Sequence, residues 1–350
     1  MKKSLVALAV LAASGAAMAQ SSVTLFGVVD AGYSVGNGSV SNSTAMRTDR
    51  IGSSRLGFRG VEDLGGGMKA SFHLEAGVGN DSGAGSATNS NNQAVTGLTS
   101  AGTQGLTFNR KSTVGLITSM GEIRLGRDYT PQFYPDAQYD PFGTNGVASS
   151  LIAYGGGFAA VRASNMFAYH SPDFNGFTVM LGSYLGENNT LNAAGSVNNK
   201  AGDGNGIHVR YAKGPLALGI AASTTKTSAT AEVKTSTMGG SYNFGVATVM
   251  FNSNTVSNTG AVDLEGMMIG AMIPMAGGTL KFSNASLKQG AAETKRNAVG
   301  FVKPLSKRTS LFATYARNAN SGGANRALNG AVTGANQSST GYDLGVNHTF

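Results

Sequence analysis

The sequence predicts an all-β fold, a single antiparallel transmembrane β-barrel of about sixteen strands. Three observations indicate this fold. The chain begins with an export leader, the remainder alternates apolar and polar residues with a period of two, and short and long connections follow one another. The composition agrees, because 51 of the 350 residues are Gly and only 13% are charged, which is unlike an ordinary soluble domain.

Residues 1–19 are predicted to be a secretory signal peptide. Lys2 and Lys3 form a basic start, an apolar run covers 5–17, and Ala17-Met18-Ala19 has the small-x-small pattern of a cleavage site. The apolar run is too short to span a bilayer as a helix. We therefore expect an exported protein whose residues 20–350 form one barrel domain.

The strand pattern is clearest in residues 68–76. The even positions are apolar, and the odd positions carry Lys69, Ser71, His73 and Glu75. Such alternation gives a strand one apolar and one polar face. A soluble sandwich would bury the apolar face in a core, whereas a membrane barrel turns it towards lipid. Period alone therefore leaves both folds open.

The connection lengths distinguish these two folds. Short turns such as 119–121 and 213–215 alternate with longer stretches rich in Asn, Ser and Gly, such as 36–50, 79–105 and 131–163. A transmembrane barrel has tight periplasmic turns and long outer loops. The connections therefore favour the barrel over the sandwich.

The residues give little support for catalysis. The chain has no Cys, which excludes a disulfide scaffold, a Cys-liganded zinc site and a Cys nucleophile. Its four His lie in no triad-like arrangement, and no zinc-protease, P-loop or G-x-S-x-G motif is present. The sequence therefore predicts no enzyme, no cofactor, no metal site and no nucleic-acid partner.

The alternation also assigns charges to the lumen. If the apolar neighbours of each residue face lipid, then Arg55, Arg59, Arg124 and Arg210 face inward. Arg110 is ambiguous, because strict alternation with the following strand would turn it towards lipid, which is costly at membrane depth.

Six segments taken in order resemble one family. They are 22–32 (SVTLFGVVDAG), 54–67 (SRLGFRGVEDLGGG), 108–110 (FNR), 125–127 (LGR), 169–177 (YHSPDFNGF) and 344–350 (LGVNHTF). The chain resembles the general porins of β-proteobacteria, the group that includes neisserial and Comamonas-type porins. The resemblance covers the whole of residues 20–350.

The resemblance implies a sixteen-stranded barrel, a homotrimer, and a third outer loop, residues 131–163, folded into the lumen. It implies that Arg110 faces the pore. It also implies that Asp136 and Asp140 on this loop, with Asp128 just before it, face the basic wall across the constriction.

Two further positions are interpreted through the same resemblance. Phe350 is expected to be the terminal aromatic that the barrel-assembly machinery reads. Relatives often carry a base at the position of Ala168, which indicates a less basic pore here.

The predicted function is a passive, water-filled channel in the outer membrane for small hydrophilic solutes and ions. The formal charge of +8 falls to +6 when Lys2 and Lys3 are removed, so we expect modest anion selectivity. The predicted partners are outer-membrane lipid, the assembly machinery, and the permeating solutes and anions. An outer-membrane barrel with a non-transport role, as adhesin or enzyme, and a soluble exported β-protein remain alternatives.

Overall fold

The structure, a computed structural model, describes residues 22–92, 105–150, 160–188 and 200–350. The predicted signal peptide and residues 93–104, 151–159 and 189–199 lie outside the described residues.

Strands make up nearly all the regular structure of the described residues. The elements in chain order are β1 Ser22–Asn37, β2 Ser43–Thr48, β3 Arg55–Gly65, β4 Met68–Gly77, β5 Lys111–Thr118, β6 Gly121–Tyr129, α1 Phe133–Gln138, β7 Arg162–His170, β8 Phe177–Tyr184, β9 Gly204–Lys213, β10 Leu216–Lys226, β11 Glu232–Asn243, β12 Thr248–Asn258, β13 Leu264–Met275, β14 Gly278–Gln289, β15 Ala292–Pro304, β16 Thr309–Ser321 and β17 Ser339–Thr349. No helix in this described part of the chain is long and apolar enough to cross a membrane.

These strand segments form a closed antiparallel barrel of sixteen strands. β2 and β3 both pair with β1, β2 along residues 31–36 and β3 along residues 22–28, so they are two parts of one barrel strand. Each later strand pairs with its neighbours in sequence, and β1 pairs with β17 from Val28↔Thr349 to Asn37↔Thr340. Closure leaves no free edge, as a sheet in lipid requires. The predicted fold class is confirmed.

Connections at the end that carries the termini are all short. At the other end they range from the two residues between β14 and β15 to the long segments 78–110 and 130–161. One expected loop is wrong in extent. Residues 36–50 are largely strand, because β1 continues to Asn37 and β2 pairs with its upper half.

Side chains alternate between the two faces of the wall. On β10, Leu218 and Ile220 are exposed, whereas the intervening Gly219 and Ala221 are buried. In a closed barrel the exposed apolar positions form the outer wall, so they provide the band that faces lipid.

The segment after β6 folds into the barrel and runs across the inner surface of the wall. Its side chains rest on inward-facing glycines: Tyr139 on Gly219 and Gly239, Pro141 on Gly270, Phe142 on Gly300 and Val147 on Gly341. A Cβ added at Gly239 would lie 2.6 Å from the Tyr139 ring. Glycine at these positions therefore gives the loop room to lie flat against the wall.

The loop occupies one side of the lumen. Helix α1 packs on β10, β11 and β12, and Tyr134 of this helix covers Met166 and Tyr184 on β7 and β8. Further along, Phe142 and Val147 pack against β15 and β16. The loop thus fills the lumen beside these strands and leaves the inner face of β1–β6 open.

Candidate functional site

Glu75 on β4 lies at the centre of a charged cluster on the open wall. Its Oε1 accepts a hydrogen bond from Nε of Arg110 at 2.6 Å and lies 3.6 Å from Nη1 of Arg55. Its Oε2 lies 3.3 Å from Nε2 of His73. Glu75 is 5% exposed. A buried carboxylate with two guanidinium partners holds both arginines at fixed positions.

Arg110 points towards the charged cluster around Glu75. It precedes the first residue of β5, Lys111, so strict strand alternation does not extend to it. Besides Glu75, it donates from Nη2 to the Tyr129 hydroxyl at 3.0 Å. The cost of an arginine facing lipid is thereby avoided.

Arg124 on β6 forms a second charged cluster. Its Nη2 lies 2.7 Å from Oε2 of Glu122, and its Nη1 lies 2.5 Å from Oδ2 of Asp128. Lys111 reaches the other oxygen of Asp128 at 2.7 Å. Asp128 therefore faces the basic wall, but from within that wall rather than from across the lumen.

Arg59 lies on β3, four residues after Arg55. Its guanidinium carbon is 5.2 Å from the centre of the Phe26 ring, a cation–π distance. It pairs in register with His73. Among the described residues, no carboxylate lies within ion-pair distance of Arg59, so its charge is uncompensated.

Arg162, the first residue of β7, joins the site although the sequence pattern did not indicate it. Its Nη2 donates to the Tyr129 hydroxyl at 3.0 Å, and its guanidinium carbon lies 4.6 Å from the Tyr129 ring centre. The expected loop runs to residue 163 and therefore includes Arg162. Extending the strand back to residue 162 would have identified it.

The three arginines Arg55, Arg110 and Arg162 line one cavity of about 450 Å³ together with Tyr129. The opposite side of this cavity is the inward loop, which contributes the neutral residues Ala137, Gly143, Thr144 and Asn145. The narrow passage between loop and wall is thus basic on one side and uncharged on the other.

Asp136 and Asp140 do not lie where the sequence analysis placed them. Asp136 is 3% exposed and faces β12, where Nδ2 of Asn254 lies 3.5 Å from its Oδ2. Asp140 accepts hydrogen bonds from the backbone N–H groups of Phe142, Thr144 and Ser150. The expectation that they oppose the arginines is corrected, because the loop turns both carboxylates towards its own backbone and the far wall.

Arg210 on β9 also lies under the loop. It pairs in register with Gly219, on which the Tyr139 ring rests. Burial raises the pKa of Tyr139, and the neighbouring Arg210 opposes that rise. Arg210 lies on the loop side of the lumen, and the loop separates it from the basic cavity.

The charged side chains of the two clusters and the cavity, together with Arg59, include more cations than carboxylates. The cations are Arg55, Arg59, Arg110, Lys111, Arg124 and Arg162, and the carboxylates are Glu75, Glu122 and Asp128. Six positive and three negative charges leave a formal excess of three.

The sequence profile of the Gram-negative porin family matches residues 4–323 of this chain. The chain belongs to this family. It is 36% identical, over the full length of both chains, to outer membrane porin protein 32 of Delftia acidovorans. It is 31% identical to the major outer membrane protein P.IB of Neisseria gonorrhoeae, over 51% of this chain and 47% of that one.

A solved structure supports the same relationship. The anion-selective porin from Comamonas acidovorans superimposes with a TM-score of 0.83 at 30% identity, covering 94% of this chain and 100% of that one. The resemblance seen in the sequence is confirmed. This protein is therefore an outer-membrane porin, a channel-forming β-barrel.

Phe350 and Ala168, the two other residues interpreted through the family resemblance, lie in the wall of the porin. Phe350 exchanges backbone hydrogen bonds with Gly27, N to O at 3.1 Å in both directions, and its ring covers Gly27. Ala168 is 1% exposed and sits beside Arg124 in register. A base at this position would lie within the buried cluster on which Tyr134 packs.

The described residues of the porin contain no group of three or more His, Cys, Asp or Glu that could hold a metal ion. Glu75, Glu122 and Asp128 are instead each committed to a cation.

Proposed function

We propose that this porin is a passive diffusion channel for small hydrophilic solutes with a modest preference for anions. The observation that carries the proposal is the cavity lined by Arg55, Arg110 and Arg162 opposite a neutral loop. A narrow passage with one sign of charge and low-dielectric walls raises the local concentration of the opposite ion. The similar porin from Comamonas acidovorans is described as anion-selective, which supports the same direction.

The channel needs no catalytic group. His73 contacts Glu75, His208 stacks on Tyr134 at 5.5 Å, and His348 contacts Thr309. None of these three stands beside a Ser and a carboxylate in a triad. We therefore propose transport without chemistry, in preference to the barrel enzyme considered from the sequence.

We further propose a homotrimer in outer-membrane lipid, exported with cleavage after Ala19 and inserted by the barrel-assembly machinery through Phe350. The sequence supports the leader, and the family supports the assembly. Amino-terminal sequencing of outer-membrane material should give Gln20 as the first residue. A start at Met1 or deep inside the barrel would contradict the proposed leader.

Selectivity is tested with the double variant Arg55→Gln/Arg162→Gln. In planar bilayers under a KCl gradient at about 0.1 M, the wild-type reversal potential should indicate anion preference. The variant should move it towards cations, because two positive charges leave the passage.

The matched control is Lys307→Gln/Arg308→Gln, which removes two cations from the exposed turn between β15 and β16. It should leave the reversal potential unchanged. A cation-selective wild type, or equal shifts in both double variants, would contradict the role given to the lumen arginines.

A further inference from the structure

The outer wall of β13–β16 carries a groove of about 660 Å³ that transport does not use. Its lower part is apolar, formed by Ala271, Phe282, Val299 and Tyr315 in one row across the four strands. Ala271 and Val299 are smaller than the Phe282 and Tyr315 beside them. Val299 therefore lies in a gap between the larger side chains of Phe282 and Tyr315.

The next row of the same wall is polar on β14–β16, whereas its member on β13 is Ile269. Asn284, Asn297 and Arg317 face outward there, one step beyond Phe282, Val299 and Tyr315. Nδ2 of Asn284 donates to Oδ1 of Asn297 at 2.7 Å. That bond uses the Asn297 oxygen, so its amide nitrogen remains a donor for another group. Polar side chains at the edge of the apolar band are expected to meet lipid headgroups.

Two lysines lie beyond this row on the same outer wall. Lys295 is the diagonal neighbour of Arg317 across β15 and β16, and Lys288 lies on the adjacent β14. The side chains of Lys288 and Lys295 are 53% and 61% exposed, and both reach the same Glu293, at 3.8 and 3.7 Å. Arg317 makes one contact in the described residues, from Nη2 to the Ser338 hydroxyl at 3.3 Å. One carboxylate therefore serves two lysines, while the arginine is free to bind an anion.

The position of the groove along the strands indicates which leaflet of the membrane it faces. Arg317 lies towards the end of β16 that leads into the long connection 322–338, whereas the short turn 305–308 is at the other end. Long connections face the cell exterior in outer-membrane barrels. The polar row therefore lies at the headgroup level of the outer leaflet.

We propose that this groove binds a phosphorylated, multiply acylated glycolipid of the outer leaflet, of the lipid A type. One acyl chain lies over Val299, between the Phe282 and Tyr315 rings. A phosphate is held by Arg317 and Lys295, with the Asn297 amide as a further donor. Charge complementarity selects this occupant, because an uncharged lipid or a neighbouring apolar protein surface would leave the cations without a partner.

The test uses purified full-length porin, delipidated in detergent and then mixed with bisphosphorylated lipid A. Native mass spectrometry should show lipid A bound to the wild type. Arg317→Gln/Lys295→Gln should reduce its occupancy at least tenfold, and Val299→Phe, which fills the gap between Phe282 and Tyr315 but keeps the charges, should reduce it similarly. Lys307→Gln/Arg308→Gln, with the same loss of charge at the opposite end of the same hairpin, should bind like the wild type.

Heat-modifiable gel mobility verifies that each variant is folded. Equal lipid A binding by the wild type and both groove variants would overturn the proposal. Equal binding of phosphatidylethanolamine would also overturn it, since the groove would then not distinguish a phosphorylated glycolipid from a zwitterionic phospholipid. If Val299→Phe instead dissociates the native oligomer, the groove is a subunit contact and the lipid assignment is wrong.

Discussion

At the residue scale, the selectivity of the passage depends on which charges neutralise which. Glu75 is bonded to Arg110 and lies near Arg55, so these two arginines share one negative charge. Arg59 and Arg162 have no carboxylate within ion-pair distance among the described residues. The net charge of the wall therefore depends on a few carboxylates on the strands and not on Asp136 and Asp140 of the loop.

Replacing Glu75 with Gln should make the porin more anion-selective. The change removes one negative charge beside the basic cavity, and two charges about 6 Å apart in water interact by about 0.7 kcal/mol, about threefold in a permeability ratio. Reversal potentials in dilute KCl measure this ratio. Glu232→Gln is the control, because Glu232 pairs with Lys234 outside the lumen. A shift of the Glu75 variant towards cations would contradict the assignment.

The sequence predicted the direction of several charges but not their partners. Arg55, Arg59 and Arg124 alternate with apolar neighbours, and period two suffices to place them inside. Asp136 and Asp140 lie on a loop, where no period applies. Their orientation depends on distant contacts, such as the loop resting on Gly239 and Gly270. Contacts between residues so far apart in the chain cannot be predicted from the local sequence pattern.

At the element scale, the inward loop is held by polar contacts as well as by packing. Nδ2 of Asn252 donates to the Pro135 carbonyl at 3.2 Å, and the Val147 N–H donates to Asp343 on β17 at 2.8 Å. These contacts attach the loop to walls on two sides of the lumen. The described part of the loop, residues 131–150, is therefore attached to the wall near both of its ends.

The attachment should depend on pH through Asp136. Burial raises its pKa from 3.8 to about 8, its hydrogen bonds to Asn252 and Asn254 lower it, and the nearby Asp140 raises it. The folded state therefore favours the neutral acid, whereas the unfolded chain ionises above about pH 4. The free energy of unfolding should fall as pH rises from about 4 to 8.

The variant Asp136→Asn should remove this contribution. Unfolding by urea in detergent at several pH values would show a smaller decline for the variant than for the wild type across this window. Identical slopes for the two proteins would mean that Asp136 is ionised in the folded porin.

The closing strand pair is the second element with a testable role. Deleting Phe350 removes the last two backbone hydrogen bonds to Gly27 and the aromatic ring at the rim. We expect much lower levels in the outer membrane, with a smaller effect on the unfolding of protein refolded in detergent. Phe350→Tyr, which keeps a terminal aromatic, should restore the levels. Normal insertion of the truncated chain would refute the assembly role.

The element boundaries were predicted unevenly. Strands with a regular pattern, such as 68–76, were found at their observed positions. The segment 36–50 was expected to be a loop because it is rich in Ser, Asn and Gly. Its part Ser43–Thr48 is nevertheless a strand, since β1 offers it a pairing edge. Sheet contacts between segments thus override local composition.

At the scale of the whole molecule, the anion preference should weaken in concentrated salt. The Debye length is about 10 Å at 0.1 M and about 3 Å at 1 M, so at high salt the arginines are screened from ions in the passage. Reversal potentials measured at both concentrations, with the same gradient ratio, should differ accordingly. A preference independent of salt would indicate size or binding selection instead.

The proposed trimer is also tested on the whole molecule. A detergent extract left unheated should run on a gel as a species of about three times the 35.5 kDa chain, less the leader. Boiling should convert it to the monomer. A folded species of monomer size would leave the barrel fold intact but would contradict the trimer.

The pairing of β1 with β17 has a consequence for chain connectivity. Gly27 and Phe350 are hydrogen-bonded, so the two ends of the barrel domain lie at the same rim. A circular permutant could join them by a short linker and open the chain within 322–338 without losing any strand pair. Such a permutant would have no free terminal aromatic. It would therefore separate the ability of the sequence to fold in detergent from its ability to be delivered to the membrane.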